Sequence, residues 1–213
     1  MYNVGMLYDL IIIGGGPAGA AAAVYASRKR LQTLFITAEW GGQSVVSEKI
    51  FNWIGTPAIS GAELAEGFKK HVLANAGEGQ TLEVKEGQRV AKLEKTSPVV
   101  EPLETLFKVT TESGDTFSAK TILIASGSAR RQLDVKNADR LEHKGLTYCA
   151  SCDGPLFSDM DVVVIGGGNA AFESAAQLLA YCKSVTLLNR SDTFRADEIT
   201  VEKVLKNPKM KAV

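Results

Sequence analysis

Twice in this chain a short apolar run ends in three consecutive glycines and continues into an alanine-rich stretch. The first copy is residues 9–13 followed by Gly14-Gly15-Gly16-Pro17-Ala18-Gly19; the second is residues 161–165 followed by Gly166-Gly167-Gly168-Asn169-Ala170-Ala171. Apolar runs without polar alternation read as strands buried on both faces, which belong in a parallel sheet, and the segment after each turn reads as the helix that covers it. These helices extend to about Arg30 and about Tyr181, and second strands follow at 31–37 and 184–188. Strand, glycine turn, helix, strand is the order of a dinucleotide-binding unit. Gly14 permits the tight turn, Gly16 lets backbone approach a pyrophosphate, and Gly19 lets helix pack on strand. Glu39 stands where an acid takes ribose hydroxyls. In the second copy Gly166 and Gly168 recur, and Ala171 takes the third place, as the fingerprint allows. Asn189-Arg190-Ser191 occupies the position of the expected acid, and Arg190 and Arg195 offer cations suited to a 2′-phosphate.

In sequence, Tyr148-Cys149-Ala150-Ser151-Cys152-Asp153-Gly154-Pro155 lies between the two units. In the first turn of a helix this spacing gathers both sulfurs at one end, where amide N–H groups and the helix dipole favour thiolate, so the pair can cycle between dithiol and disulfide. The same spacing is half of a zinc site. Only Cys182, His71 and His143 remain to complete such a set, and none forms a second pair at ligand spacing. Position between two nucleotide units favours redox chemistry. Cys182 reads as structural and His71 as a surface or packing residue.

The remaining chain carries ordinary signals. Residues 40–43 and 50–57 read as loops. Residues 60–76 read as an amphipathic helix, capped by Ser60 with Glu63 three residues on and Leu64, Phe68 and Val72 on one face. Short strands at 89–93, 106–110 and 116–118, within 82–118, predict a small antiparallel meander, and 120–125 a further apolar strand. Arg130-Arg131 reads as a solvated linker. With 24 basic and 24 acidic residues the net charge is zero, which gives no footing for nucleic acid. No leader pattern opens the chain, and no window approaches the roughly 20 apolar residues of a membrane helix. A cytoplasmic α/β protein is expected, with 45% hydrophobic residues to build its core.

With these motifs in place, the chain resembles bacterial thioredoxin reductase of the low-molecular-weight type across essentially its whole length. The matching pieces are the two glycine turns, Gly41-Gly42-Gln43, Asn52-Trp53, Ala125-Ser126-Gly127, Cys149 through Gly154, and Arg190 through Phe194-Arg195-Ala196. The resemblance implies two Rossmann-like units with a small antiparallel meander: an FAD-binding domain at 1–128 and an NAD(P)H-binding domain at 131–213. It implies FAD held by Gly14, Gly16, Pro17, Ala18, Gly19, Glu39, Gly42, Gln43, Asn52, Ala125 and Gly127. NADPH, with NADH possible, falls to Gly166, Gly168, Asn169, Ala170, Arg190 and Arg195. Cys152 would face the flavin, Cys149 would attack the disulfide of thioredoxin or a similar protein, and Asp153 would serve as acid and base. A homodimer, and a second domain that rotates on its linker, follow from the family alone.

Asn189 and Ser191 depart from the family's basic set, which weakens the NADPH expectation. The flavoprotein of alkyl hydroperoxide reductase shares the continuation through Cys152-Asp153-Gly154-Pro155-Leu156-Phe157, so an NADH-linked reductase of a peroxidase system is the alternative. Only two parallel strands are visible in the second unit, the chain stops at residues 209–213 where a third would begin, and the family's closing segment is missing. The second domain is therefore expected to be incomplete, and an inactive nucleotide-binding module is a further alternative.

Overall fold

A computed structural model describes residues 6–96, 106–128, 131–142 and 144–213. Arg130, His143 and most of the proline-bearing loop before residue 106 lie outside them. The chain divides into two compact units, Met1–Arg131 and Gln132–Val213.

The first unit is built on β1 (Leu7–Gly15), α1 (Pro17–Arg28), β2 (Thr33–Trp40), α2 (Gly61–Leu73), β3 (Leu82–Glu86), β4 (Val90–Thr96), β5 (Leu106–Thr111) and β6 (Thr116–Ile124). Its six strands form one mixed sheet in the order β3-β2-β1-β6-β5-β4. β2 and β6 flank β1 in parallel, with Ile12 opposite Phe35 on one side and Leu123 on the other. Alternation along the strands splits the core in two. Ile12 and Phe35 pack with Ala20, Ala23, Val24 and Val72 under the helices, whereas Ile11, Leu34 and Ile36 pack with Val109 and Ala119 on the opposite face.

Two sequence expectations change here. Residues 116–118 and 120–125 are not separate strands but one strand, β6, which pairs antiparallel with β5 through Ala119 and parallel with β1 from Ser118 onward. Ala119 is fully buried between Ser118 and Lys120, so no turn signal interrupts the alternation. The meander is thus β4-β5-β6, continuous with the parallel sheet, and β3 belongs to the parallel part beside β2. Helix α2 starts as expected: Ser60 Oγ accepts the Glu63 N–H at 3.1 Å and Glu63 Oε2 accepts the Ser60 N–H at 3.1 Å. It stops at Leu73, short of Ala76.

The second unit contains α3 (Ala138–Leu141), α4 (Ala150–Asp153), β7 (Asp161–Ile165), α5 (Asn169–Leu178), β8 (Ser184–Leu188), α6 (Glu198–Leu205) and β9 (Met210–Ala212). The third parallel strand, whose start the sequence places at residues 209–213, is present: Met210, Lys211 and Ala212 align in parallel with Val185, Thr186 and Leu187. Helix α6, unforeseen, is capped by Asp197, whose Oδ1 accepts the Thr200 N–H at 3.1 Å. Phe172, Val185 and Leu187 are fully buried and meet Val164, Leu178 and Val204 on the helix side of the sheet. On the other side Val163 and Ile165 are 59% and 55% exposed, so among the described residues this parallel sheet has a core on one face only.

Candidate active site

Each glycine run sits where β1 or β7 meets its helix, and packing explains most of the glycines. Gly14 has φ 118°, and a side chain there would overlap the Ala125 carbonyl. A Cβ on Gly19 would overlap the carbonyl oxygen of Gly14, so α1 can cross this close to the turn only without one. Gly15, unassigned from sequence, is excluded from bearing a side chain by Thr37 Oγ1 and the Glu39 carbonyl; the unbroken run of glycines was its only signal. Gly16 differs. The nearest atom to a Cβ there is the Gly42 Cα at 3.9 Å, while a Cβ on Gly42 would meet the Gly16 Cα at 3.3 Å, so the two glycine backbones lie in contact with no side chain between them.

The helix that follows Gly16 starts with its first N–H groups uncapped by any side chain. Helix α1 begins at Pro17, with no side-chain cap and no acid in its first turn, and Ala18 beside it is exposed. Helices α2 and α6, by contrast, are both capped by side chains. Unsatisfied N–H groups at a helix start are a ready site for a pyrophosphate. Glu39 is exposed at the end of β2, where the Thr37 hydroxyl donates to its carbonyl at 2.6 Å. Gln43 is exposed on the 3-10 turn Gly42–Val46. Asn52 is exposed on a loop closed by an Ile50–Ile59 bridge and pinned where Trp53 meets Phe68 edge-on at 5.4 Å. Ala125 donates its N–H to Ile13 O at 2.8 Å, and Gly127 follows with φ 65°. A cavity of about 480 Å³ lined by Tyr8, Gln32, Leu82 and Glu83 lies at the opposite, N-terminal ends of these strands and is not part of this cradle.

The second turn repeats the design with one change. Helix α5 likewise has no side-chain cap and no acid in its first turn, and Gly168, its N-cap, has open space where a side chain would be. Here the loop after β8 folds back on the turn. Arg195 donates its N–H to Gly167 O at 2.7 Å, Asn169 Oδ1 accepts the Asp197 N–H at 2.8 Å, and Phe194 packs edge-on against Phe172 at 5.0 Å. The Asn169 carbonyl oxygen thus holds the loop. Ala170 is exposed beside it. Arg190 and Arg195 are exposed, and neither guanidinium has a partner among the described residues. Asn189, seen in the sequence only as a missing acid, is a structural centre of this loop.

Cys149 and Cys152 form a disulfide with an S–S distance of 2.03 Å. The helix expected to bias them is a single turn, α4, because Gly154 and Pro155 divert the chain into a 3-10 turn. A long helix dipole is therefore replaced by one local contact, the Cys152 N–H donated to Cys149 Sγ at 3.2 Å. Cys152 is exposed and Cys149 half-buried. Thr147, which nothing in the sequence singled out, donates its hydroxyl to Asp153 Oδ2 and accepts the Cys149 N–H at 3.3 Å. Ser151 ties the turn to α5 through Gln177 at 2.9 Å. Among the described residues no three His, Cys, Asp or Glu side chains converge as a metal site, and no helix is long and apolar enough to cross a membrane.

Cys182 is 1% exposed, and burial pushes its thiol above the ordinary range. Alkylation of the native chain should label no cysteine before reduction and only Cys149 and Cys152 after it, read by peptide mass spectrometry. Labelling of Cys182 without denaturant would show that its side of the core opens.

Comparison with known proteins places this geometry. The family model described as pyridine nucleotide-disulphide oxidoreductase matches residues 8–211. The chain is 38% identical over 202 residues to a subunit of alkyl hydroperoxide reductase from Escherichia coli K12, covering 94% of this chain and 37% of that protein. It is 34% identical over 206 residues to NADH dehydrogenase of Bacillus subtilis 168, covering 97% of this chain and 38% of that protein. Among solved structures, thioredoxin reductase from Streptococcus pyogenes MGAS5005 matches with a TM-score of 0.79 at 34% identity, over 97% of this chain and 63% of that one. The chain therefore spans less than two fifths of these curated relatives. Proteins of the matched family bind FAD and NAD(P)H. Since residues 8–211 take in both glycine turns and the cysteine turn, the chain belongs to the pyridine nucleotide-disulphide oxidoreductase family.

Proposed function

We propose that the chain carries the electron path of a flavoprotein that uses NADPH to reduce the disulfide of thioredoxin or a thioredoxin-like protein. The observation that carries this reading is the Cys149–Cys152 disulfide, in a turn that donates an N–H to one of its sulfurs, on a chain with two uncapped glycine-turn helices. Two features support the nucleotide assignment: both glycine-turn helices start without a side-chain cap or an acid, and Gly168 has nothing within 4 Å of where its side chain would be. FAD at the first cradle, with Glu39 on its ribose and Gln43 and Asn52 toward the rest, would supply the two-electron relay between nicotinamide and disulfide. NADPH would lie on the second turn, with Arg190 and Arg195 on its 2′-phosphate.

The chain's own residues would then act as follows. Reduced Cys149, its proton passed to Asp153, attacks one sulfur of the partner's disulfide. A Cys149–partner bond forms, the partner's S–S bond breaks, and the departing thiolate takes the proton from Asp153. Cys152 thiolate next attacks Cys149 Sγ, re-forming the disulfide and freeing the second partner sulfur. The Cys152 N–H on Cys149 Sγ supports Cys149 as the attacking thiolate, and Thr147, bonded to both Cys149 N–H and Asp153, supports the acid's place beside it. A cytoplasmic homodimer accords with this reading.

An NADH-linked reductase of a peroxidase system is the second reading. Uncharged Asn189 and Ser191 at the strand end favour it, as do the names of the curated relatives. Anaerobic visible spectra of the chain mixed with FAD test both readings. Bound flavin bands that NADPH bleaches faster than NADH support the first, and the reverse order supports the second. A chain that retains no FAD would overturn both and leave a nucleotide-binding module.

A further inference from the structure

Within the loop at residues 189–195 one side chain, Asn189, makes the most hydrogen bonds, and the Ser191 hydroxyl adds one to Thr193 O at 3.0 Å. Asn189 Nδ2 donates to Ser191 O at 2.7 Å and to Thr193 O at 2.9 Å, with Ser191 Oγ at 3.4 Å. Two carbonyl acceptors fix which end of the amide is nitrogen. Its other end, Oδ1, takes the space a side chain on Gly167 would need, so Asn189 also seats the loop against the glycine turn. The Arg195 N–H on Gly167 O completes that seating. Arg190 and Arg195, whose guanidinium groups have no partner among the described residues, lie on either side of the clamped residues in sequence.

We propose that Asn189 is a specificity-determining positioning residue: its amide clamp holds Arg190 and Arg195 in the arrangement that prefers a 2′-phosphorylated adenosine. The inference rests on the second turn's being the NADPH site. It has a consequence that the usual fingerprint would not suggest. At this position an acid normally accepts from ribose hydroxyls. In this chain a carboxylate would face the carbonyl oxygens of Ser191 and Thr193 with no hydrogen to offer, leaving acceptor against acceptor. Introducing the acid should therefore open the loop instead of converting the site to NADH.

The test compares the full chain with Asn189→Asp, Asn189→Ala and Arg190→Ala, titrating each by calorimetry with 2′,5′-ADP and with 5′-AMP. Amide hydrogen exchange over residues 190–195 is followed alongside. The native chain should bind 2′,5′-ADP at least about tenfold more tightly, the value of a charge-assisted contact. Both Asn189 variants should lose most of that ratio without gaining affinity for 5′-AMP, while exchange quickens in 190–195 and stays unchanged in β7. The neutral alanine variant removes the clamp without adding charge, so its loss cannot be simple repulsion. Arg190→Ala should lower the ratio while the loop stays protected.

A native chain with no preference for 2′,5′-ADP would overturn the NADPH reading together with this inference. A native preference that survives in both Asn189 variants would overturn the inference alone. So would an Asn189→Asp chain that gains 5′-AMP affinity with its loop still protected, since position 189 would then read the ribose directly.

Discussion

Cys152→Ser, in the FAD-loaded chain, should abolish reduction of a thioredoxin-like disulfide, a fall of at least about 10³-fold in turnover, the scale of removing a nucleophile that acts as part of a unit. The same variant should still let NADPH bleach the flavin. The separation follows from where the residues lie. The nucleotide cradles are built from Gly14 to Gly19 with Gly42, and from Gly166 to Ala171, and neither uses a cysteine. The disulfide is a four-residue staple on a single turn, and Cys152 is exposed, so serine leaves no cavity behind. What disappears is the second sulfur. A lone Cys149 can form a mixed disulfide with the partner but has nothing with which to resolve it, so a trapped Cys149–partner adduct should accumulate. Turnover at the native rate in Cys152→Ser would remove the pair from the mechanism. Loss of NADPH bleaching together with turnover would mean instead that the cysteine turn supports nucleotide binding.

The parts of this structure that were legible in the sequence are those in which one residue type answers a local steric demand. Gly14 and Gly19 are glycines because a carbonyl occupies the place of each missing Cβ, and the strand–turn–helix pattern around them shows that demand from sequence alone. Ser60 and Glu63 are likewise read correctly because both halves of the capping box lie within four residues. The misses are of another kind. β6 changes partner in mid-strand, from β5 to β1, and nothing in its alternation marks the change. The contacts of Thr147 and Asn189 with their loops exist once the loops have closed, so neither residue type announces them. The single-turn length of α4 could have been anticipated, because Gly154-Pro155 directly after Asp153 cannot continue a helix unperturbed.

Gly19→Ala should be strongly destabilising to the first unit. The added carbon would coincide with the Gly14 carbonyl oxygen, a backbone atom that no rotamer change can move aside. Gly14 cannot yield either, since its φ is 118° and Ala125, the residue after β6, lies close against it. Relief must come from sliding α1 off the turn, and Ala20, Ala23 and Val24 on that helix are packed against Ile12 and Phe35. Overpacking against backbone, with part of that cluster pulled apart, predicts a loss of about 3 kcal/mol. Because the same slide displaces the uncapped N–H groups at the start of α1, FAD affinity should fall by about 100-fold or more. Gly168→Ala is the control, placed on open space at the N-cap of α5, where a methyl has nothing to strike within 4 Å. Its thermal unfolding should match the native chain, and its cost should appear only as weaker binding of the pyridine nucleotide. Urea unfolding and FAD titration of the two variants side by side decide the matter. Equal stability for Gly19→Ala and Gly168→Ala would mean that α1 is not held against the turn as closely as its glycine implies, and that the first cradle is shaped by something other than this contact.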